Sequence, residues 1–120
     1  MTEFAIVLPI LLLVVFAIVQ LGLVYNHWVT LTDASRAGAR KAAVSRTLGS
    51  DAAVAAAKAA VESSATGLNP ALTDSQVTVT STWQPGGNVT VCAQYPWSIT
   101  VVGISFGSGS LNPCTTERVE

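Results

Sequence analysis

The sequence predicts an α+β fold, with a long N-terminal helix, a short second helix and a small antiparallel β-sheet of three or four strands. Residues 4–25 are almost wholly apolar, the alanine-rich residues 51–65 lie between two glycines, and from Gln76 the pattern alternates with a period of two. We expect three parts: an apolar helix (residues 1–25), its amphipathic continuation (26–48) and a small globular domain (49–120).

The apolar run Phe4–Tyr25 has the length of a membrane-spanning helix. It contains no charged residue, and Gln20 is its only clearly polar side chain. A bilayer core of about 30 Å needs about 20 helical residues. A helix buried on all sides in a core is the alternative, but a chain of 120 residues rarely buries one. Pro9 removes a backbone hydrogen bond, which predicts a kink or distorted first turns.

The same helix is predicted to continue to about residue 47 and to become amphipathic near residue 26. Trp28, Leu31 and several small residues fall on one stripe there, and the charged residues lie largely off it. Small residues recur at every fourth position, which lets another backbone approach closely. Ordinary alanine-rich helix propensity is the alternative explanation. The row consists of Ala34, Gly38 and Ala42.

The C-terminal half is predicted to hold the short helix and the sheet. Gly49 and Gly67 are suited to stopping helices on either side of residues 51–65. The first two alternating runs flank a Pro-Gly-Gly turn and predict a hairpin. The predicted strands cover residues 76–83, 88–95, 97–104 and 114–119, and residues 107–113 are predicted to be a loop. We expect the outer half of the long helix to cover the apolar face of this sheet.

The composition limits the classes of partner. Only 11% of the residues are charged and 50% are hydrophobic, with a formal net charge of -1. Charged residues usually make up about a quarter of a chain. The surface is therefore expected to be covered by lipid or by neighbouring copies. A net charge near zero offers no general attraction to nucleic acid, so we expect no nucleic-acid partner.

The two cysteines, Cys92 and Cys114, favour a disulfide formed in an oxidising compartment, with two unpaired buried thiols as the alternative. Their spacing matches no metal motif. The only histidine, His27, is interpreted as a solvent-facing or interfacial residue beside Tyr25 and Trp28, with a catalytic base as the alternative. No phosphate-binding loop, carboxylate pair or Ser-His-Asp order is found. We therefore predict no enzyme activity, no metal and no cofactor.

Two surface features remain open from the sequence. Asn88 begins an Asn-Val-Thr sequon and is a candidate glycosylation site. Arg36, Arg40 and Lys41 form a basic cluster, which we interpret as a solvated helix face, with a lipid head-group site as the alternative.

The charges near the N-terminus do not fit a secretory signal, which would begin with a basic region. The first charged residue is Glu3, and the first basic residue is Arg36. Because positive charge normally marks the cytoplasmic flank, the basic cluster would place most of the chain in the cytoplasm, against the oxidised cysteine pair. We expect that a basic leader preceded residue 1 and was removed.

Two stretches of the long helix carry a specific pattern. One is Glu3 followed at once by FAIVLP, and the other is LTDASRAGAR at residues 31–40. Together they resemble the TadE-like family of pilins and pseudopilins, which shows a VEFALVLP-like start and a NAAREGAR-like segment on the same helix. The resemblance covers residues 3 to about 47. The family glutamate normally lies five residues into the mature chain, whereas here it is residue 3.

The resemblance implies a pilin-like fold and a structural role. A prepilin peptidase would remove the leader on the cytoplasmic side. The mature chain would pass from the membrane, through the pilus assembly machinery, into a helical homo-oligomeric filament at the cell surface. A minor pseudopilin and a single-pass membrane-anchored binding module are the alternatives.

Glu3 is the predicted docking residue. A carboxylate inside an apolar helix bundle costs several kcal/mol unless it is paired, and the α-amino group of Met1, its own or a neighbour's, would be the partner. A glutamate that serves only the helix dipole is the alternative. We predict subunit docking by Glu3, Met1 and Pro9, and helix packing by Phe4, Leu8, Leu12, Phe16, Ala34, Gly38 and Ala42.

Overall fold

The computed structural model of the protein describes residues 2–120 and shows an elongated molecule of 71 × 21 × 19 Å. The length comes from helix α1, Thr2–Val44, whose 43 residues span about 65 Å at a rise of about 1.5 Å each. The helix continues through Pro9 without a break in its assignment. A 3-10 turn, Arg46–Leu48, leads into helix α2, Ser50–Ser64.

Five strands follow α2 and form two antiparallel sheets. One sheet has the order β1-β2-β5, and β3 pairs with β4 in a separate hairpin. The strands are β1 Val77–Ser81, β2 Asn88–Ala93, β3 Tyr95–Val101, β4 Ile104–Leu111 and β5 Cys114–Arg118. The predicted fold class, α+β with a long N-terminal helix and a short second helix, is confirmed.

The number of strands differs from the prediction because of β4. Residues 107–113 were expected to be a loop, but β4 extends to Leu111 and gives five strands in two sheets. The segment Gly107-Ser108-Gly109-Ser110 has no apolar alternation and a low strand propensity. Its glycines instead make room for an indole ring, since a Cβ on Gly109 would lie 3.1 Å from Trp97 Nε1. Packing against Trp97 of β3 therefore explains why this segment forms a strand despite its low strand propensity.

The core lies between the outer half of α1, α2 and one face of the β1-β2-β5 sheet. From α1 it contains Leu31, Ala34, Ala39, Ala42 and Ala43. Facing residues include Ala57 and Val61 on α2, and Val89 and Val91 on β2. The outer half of α1 thus covers the sheet, as expected from the amphipathic stripe.

Gly38 marks a close approach of α1 to α2. A Cβ at this position would overlap Val61 Cγ2 and would lie 3.2 Å from the Ala57 carbonyl oxygen and 3.4 Å from Val91 Cγ1. Two of these neighbours are on α2 and one is on β2. The row of small residues on α1 is therefore filled by other parts of the same chain.

We predict that Gly38→Ala destabilises the globular part by about 1–3 kcal/mol, because the added methyl group overpacks the contact with Val61. Gly22→Ala is the matched control. It lies on the same helix with no atom within 4 Å of its added Cβ, so the substitution should be neutral or gain up to about 1 kcal/mol in helix propensity. Urea unfolding in detergent, followed by tryptophan fluorescence, measures both. Equal effects of the two variants would contradict the close approach.

The predicted cysteine pair forms a disulfide between adjacent strands. Cys92 on β2 and Cys114 on β5 are paired in the sheet register and are joined by a disulfide bond. The bond closes a segment with a sequence separation of 22. In the chain-entropy model, a loop of this size corresponds to about 3 kcal/mol of stabilisation. The bond ties the C-terminal strand to the strand that packs on α1.

We predict that replacing both cysteines, Cys92→Ser with Cys114→Ser, lowers the free energy of unfolding by about 3 kcal/mol. Reduction of the wild-type protein by dithiothreitol should produce a loss of similar size. The same reductant should leave the double variant unchanged, which serves as the control. If dithiothreitol does not change the urea midpoint of the wild-type protein, the disulfide contributes nothing to its stability.

Candidate functional site

The first half of α1 presents a long run of exposed apolar side chains and projects from the globular part. Every side chain from Thr2 to Phe16 is exposed. Within residues 2–120, α1 is the one helix that is long and apolar enough to cross a membrane, by length and composition. We call residues 2–16 the exposed apolar helix.

A surface of this kind does not remain in water. Apolar patches of more than a few hundred Å² mark contacts with membranes or other proteins. Full burial of one Val, Leu, Ile or Phe side chain contributes about 1.5–3 kcal/mol, and this helix presents many of them. Lipid or other chains must therefore cover the exposed apolar helix.

The predicted packing residues fall into two spatially separate sets. Phe4, Leu8, Leu12 and Phe16 are all exposed on the projecting part of α1. Ala34, Gly38 and Ala42 are all buried inside the chain, in the outer half of α1. The first set is thus available for contacts outside the chain, and the second set is already occupied by α2 and the sheet.

The predicted docking residues lie at the start of the exposed apolar helix. Glu3 is exposed and is the acidic residue of the first turn of α1. The positive end of the helix dipole favours a carboxylate there. Pro9 is exposed as well, within the helix. Met1, the predicted partner of Glu3, lies outside the described residues.

A cleft between α1 and the β3–β4 hairpin was not predicted from the sequence. It has a volume of about 640 Å³ and is lined by Gln20 and His27 on α1 and by Tyr95 and Trp97 on β3, among others. The rings of His27 and Tyr95 meet edge to face, with centroids 5.5 Å apart. The aromatic side chains of the segment Tyr95-Pro96-Trp97 were the feature of the sequence that could have indicated this cleft. His27 is therefore half-buried against β3.

Tyr95 fixes one wall of this cleft. Its hydroxyl donates a hydrogen bond of 2.8 Å to the Pro70 carbonyl oxygen, in the segment that follows α2. Burial raises the pKa of Tyr95 above its ordinary value of 10.0. The hydroxyl is therefore neutral at physiological pH and holds the hairpin to the segment after α2.

The charged surface is sparse and well solvated. Arg36, Arg40 and Lys41 are all exposed. Arg36 Nη1 lies 3.4 Å from Asp33 Oδ1, and both side chains are more than half exposed, so the pair contributes at most about 1 kcal/mol. Among residues 2–120, no three His, Cys, Asp or Glu side chains are grouped to hold a metal ion. Asn88 is exposed at the start of β2.

The fold and this surface define a class of protein: a small α+β domain built on the outer half of one helix, whose residues 2–16 are largely apolar and exposed. Comparison with known protein families gives a match, which covers most of helix α1. The family model described as TadE-like protein matches residues 1–40. The predicted resemblance to the TadE-like family is thereby confirmed on the N-terminal third of the chain. Neither the curated proteins nor the solved structures gave a match.

We predict that Tyr95→Phe costs about 1 kcal/mol at neutral pH, because the hydrogen bond to Pro70 is lost. The raised pKa of Tyr95 also makes the free energy of unfolding depend on pH. The folded protein holds the hydroxyl proton more tightly than the unfolded chain, so wild-type stability is unaffected below about pH 10 and falls above it. The Tyr95→Phe variant should lack this contribution to the loss of stability above about pH 10.

Urea unfolding at about pH 8 and about pH 10.5 compares the two proteins. Tyr25→Phe is the matched control, because the Tyr25 side chain is exposed on α1. It should reproduce the wild-type values at both pH values. The assignment to Tyr95 would be wrong if Tyr95→Phe lost stability above pH 10 as steeply as the wild type.

Proposed function

We propose that the protein is a structural subunit, a mature TadE-like pilin, that polymerises through the exposed apolar helix into an extracellular surface filament for adhesion or contact. One observation carries the proposal. A single helix leaves its residues 2–16 uncovered and uses residues 31–43 as the spine of the globular domain. The TadE-like match over residues 1–40 supports the same role.

The two halves of α1 correspond to two stages in this proposal. Residues 1–25 form the membrane span and later the filament core, residues 26–48 join this part to the domain, and residues 49–120 face outward. Lipid tails are about as apolar as leucine side chains, so transfer of the helix from lipid to a bundle gains little hydrophobic free energy. Close packing and polar pairing must then favour assembly.

Glu3 is the proposed source of that polar pairing. In lipid its carboxylate sits at the end of the span, whereas in a bundle it needs a positive partner. The α-amino group of Met1 on a neighbouring copy has the required charge. Phe4, Leu8, Leu12 and Phe16 recur at every fourth position and would pack between copies. A head-to-tail contact that does not close into a ring produces a helical filament.

The proposal includes the partners of such a subunit. A prepilin peptidase would process the precursor, the pilus assembly machinery would extract it from the membrane, and the filament would lie at the cell surface. The role is structural, with no catalytic step, no cofactor and no nucleic acid. Asn88, the candidate glycosylation site, is exposed at the start of β2.

A minor pseudopilin or a membrane-anchored binding module is the second candidate. The cleft of about 640 Å³ beside His27 and Tyr95 favours the binding module, because aromatic residues line a recess open to a small ligand. In that case the helix would stay in the membrane. Mechanical shear would then release none of the protein from cells, and detergent would be needed.

We predict that Glu3→Gln lowers the amount of sheared filament more than about tenfold, since the loss of one buried charge pair exceeds 1.4 kcal/mol. Asp51→Asn is the matched control, because Asp51 is also the acidic residue of a first helical turn, in α2. The control should assemble normally. Immunoblots of sheared and membrane fractions measure both variants, with equal membrane levels expected.

Three results would count against parts of this proposal. Normal filaments from Glu3→Gln would remove the docking role of the carboxylate. An equal defect in Asp51→Asn would show that a helix-dipole effect accounts for the loss. Wild-type protein found only in the membrane fraction would favour the second candidate.

A further inference from the structure

The β3–β4 hairpin runs down α1 toward the apolar half of that helix. Three neighbouring positions show the direction, because residues of increasing number on the strands lie beside residues of decreasing number on α1. They are Val91 near Gly38, Tyr95 on His27, and Val101 with Val102 beside Phe16 and Gln20. The last four residues share a recess of about 310 Å³. The hairpin turn therefore lies level with residues of the apolar run.

The end of this hairpin exposes apolar side chains. Val102 is 89% exposed, and Ile104 and Phe106 are each 64% exposed. The sequence contains no charged residue from Ser75 to Thr116, so no charge on the hairpin opposes contact with lipid. We call residues 101–104 the hairpin tip.

The turn itself does not explain the valine at the tip. Val102 and Gly103 form a two-residue turn with φ values of 50° and 79°, as in a type I′ turn. Such turns favour Asn-Gly, and a β-branched residue at positive φ is unfavourable. An apolar side chain occupies the most exposed position of the tip, although asparagine would suit the backbone better.

The position of the tip along α1 corresponds to the outer part of the hydrocarbon core, next to the head groups. If residues 4–23 fill a hydrocarbon core of about 30 Å, Gln20 lies about 5 Å and Phe16 about 10 Å inside its outer edge. Interfacial elements bury their apolar faces about 5–10 Å into the region between head groups and acyl chains. The tip and the adjoining Thr100 on β3 reach this depth. The strand edges nearer the base of the hairpin lie farther out and keep access to water, which their unpaired backbone groups require.

We propose that the hairpin tip inserts into the membrane that α1 spans, on the side of the globular domain, with lipid acyl chains contacting Val102 and Ile104. This inference rests on the membrane-inserted stage of the proposed function. Lipid is the partner because the tip lies beside Phe16 and Gln20 and shares the surroundings of the span at that level. The tip is a second membrane contact, which sets the orientation of the domain on its single helix.

Depth measurements on the full chain test the inference. The protein is placed in nanodiscs of phosphatidylcholine and phosphatidylglycerol, with one nitroxide label at Val102→Cys, Gln84→Cys or Leu12→Cys. The labelling is selective, because residues 2–120 hold no free cysteine. Collision with oxygen, which concentrates in lipid, is compared with collision with a water-soluble nickel complex. Gln84 is exposed in the β1–β2 connection, at the end of the domain far from the tip.

The oxygen-to-nickel ratio at residue 102 should be several-fold above that at residue 84 and should approach the ratio at residue 12. A second variant separates lipid contact from folding. Val102→Asn suits the turn, so the melting temperature should be unchanged or higher. A label at Ile104→Cys in that background should nevertheless shift toward the ratio at residue 84.

The outcomes distinguish this inference from the proposed function. A lipid-like ratio at residue 12 with a water-like ratio at residue 102 overturns the inference and leaves the membrane stage intact. Water-like ratios at both positions overturn the membrane stage as well. Spin–spin broadening at residue 102, seen only in discs with two copies, would show that a second copy covers the tip, which also overturns the inference.

Discussion

The contact around Gly38 is the constraint on which the globular part depends. Because this residue has no side chain, Val61 of α2 and Val91 of β2 reach the surface of α1 at the same position. The disulfide then ties β5 to β2, so the C-terminal strand is also held on α1. Most of the domain packs on the outer half of α1, and the β3–β4 hairpin descends beside residues 16–24 of that helix. Residues 2–15 are exposed, and this division produces the surface from which assembly is proposed.

The distribution of charge follows the same division. The sequence has two long stretches without a charged residue, 4–32 and 75–116, and most charges lie between them. The first stretch contains the exposed apolar helix. The second contains the β3–β4 hairpin, which descends beside that helix until Val102 reaches the level of Phe16. Two uncharged segments that are far apart in sequence thus lie side by side at this level. In the proposed membrane stage, a charged side chain in either segment would carry a high desolvation cost.

The interface between hairpin and helix explains how the domain keeps a defined orientation. Tyr95 contacts His27 through its ring and the segment after α2 through its hydroxyl, so the base of the hairpin is held from two sides. A subunit that exchanges lipid for neighbouring helices needs such a rigid attachment, because little hydrophobic free energy separates the two environments. In the proposed assembly, specific contacts at Glu3 and at the packing surface would then decide between membrane and filament.

The sequence alone determined the features that depend on local pattern. These are the length and apolarity of α1, its change to an amphipathic helix, the second helix, the alternating strands and the family motif of residues 3–40. The even cysteine count predicted the disulfide. The tertiary structure alone decided the partner of the small-residue row, the strand β4 and the level of the hairpin tip. Each of these rests on residues that are distant in sequence and near in space. Gly38 lies close to Val61, Gly109 lies close to Trp97, and Phe16 lines one recess with Val102. Periodicity within a segment does not specify what packs against it, because side-chain packing is set by the neighbours that the whole fold brings together.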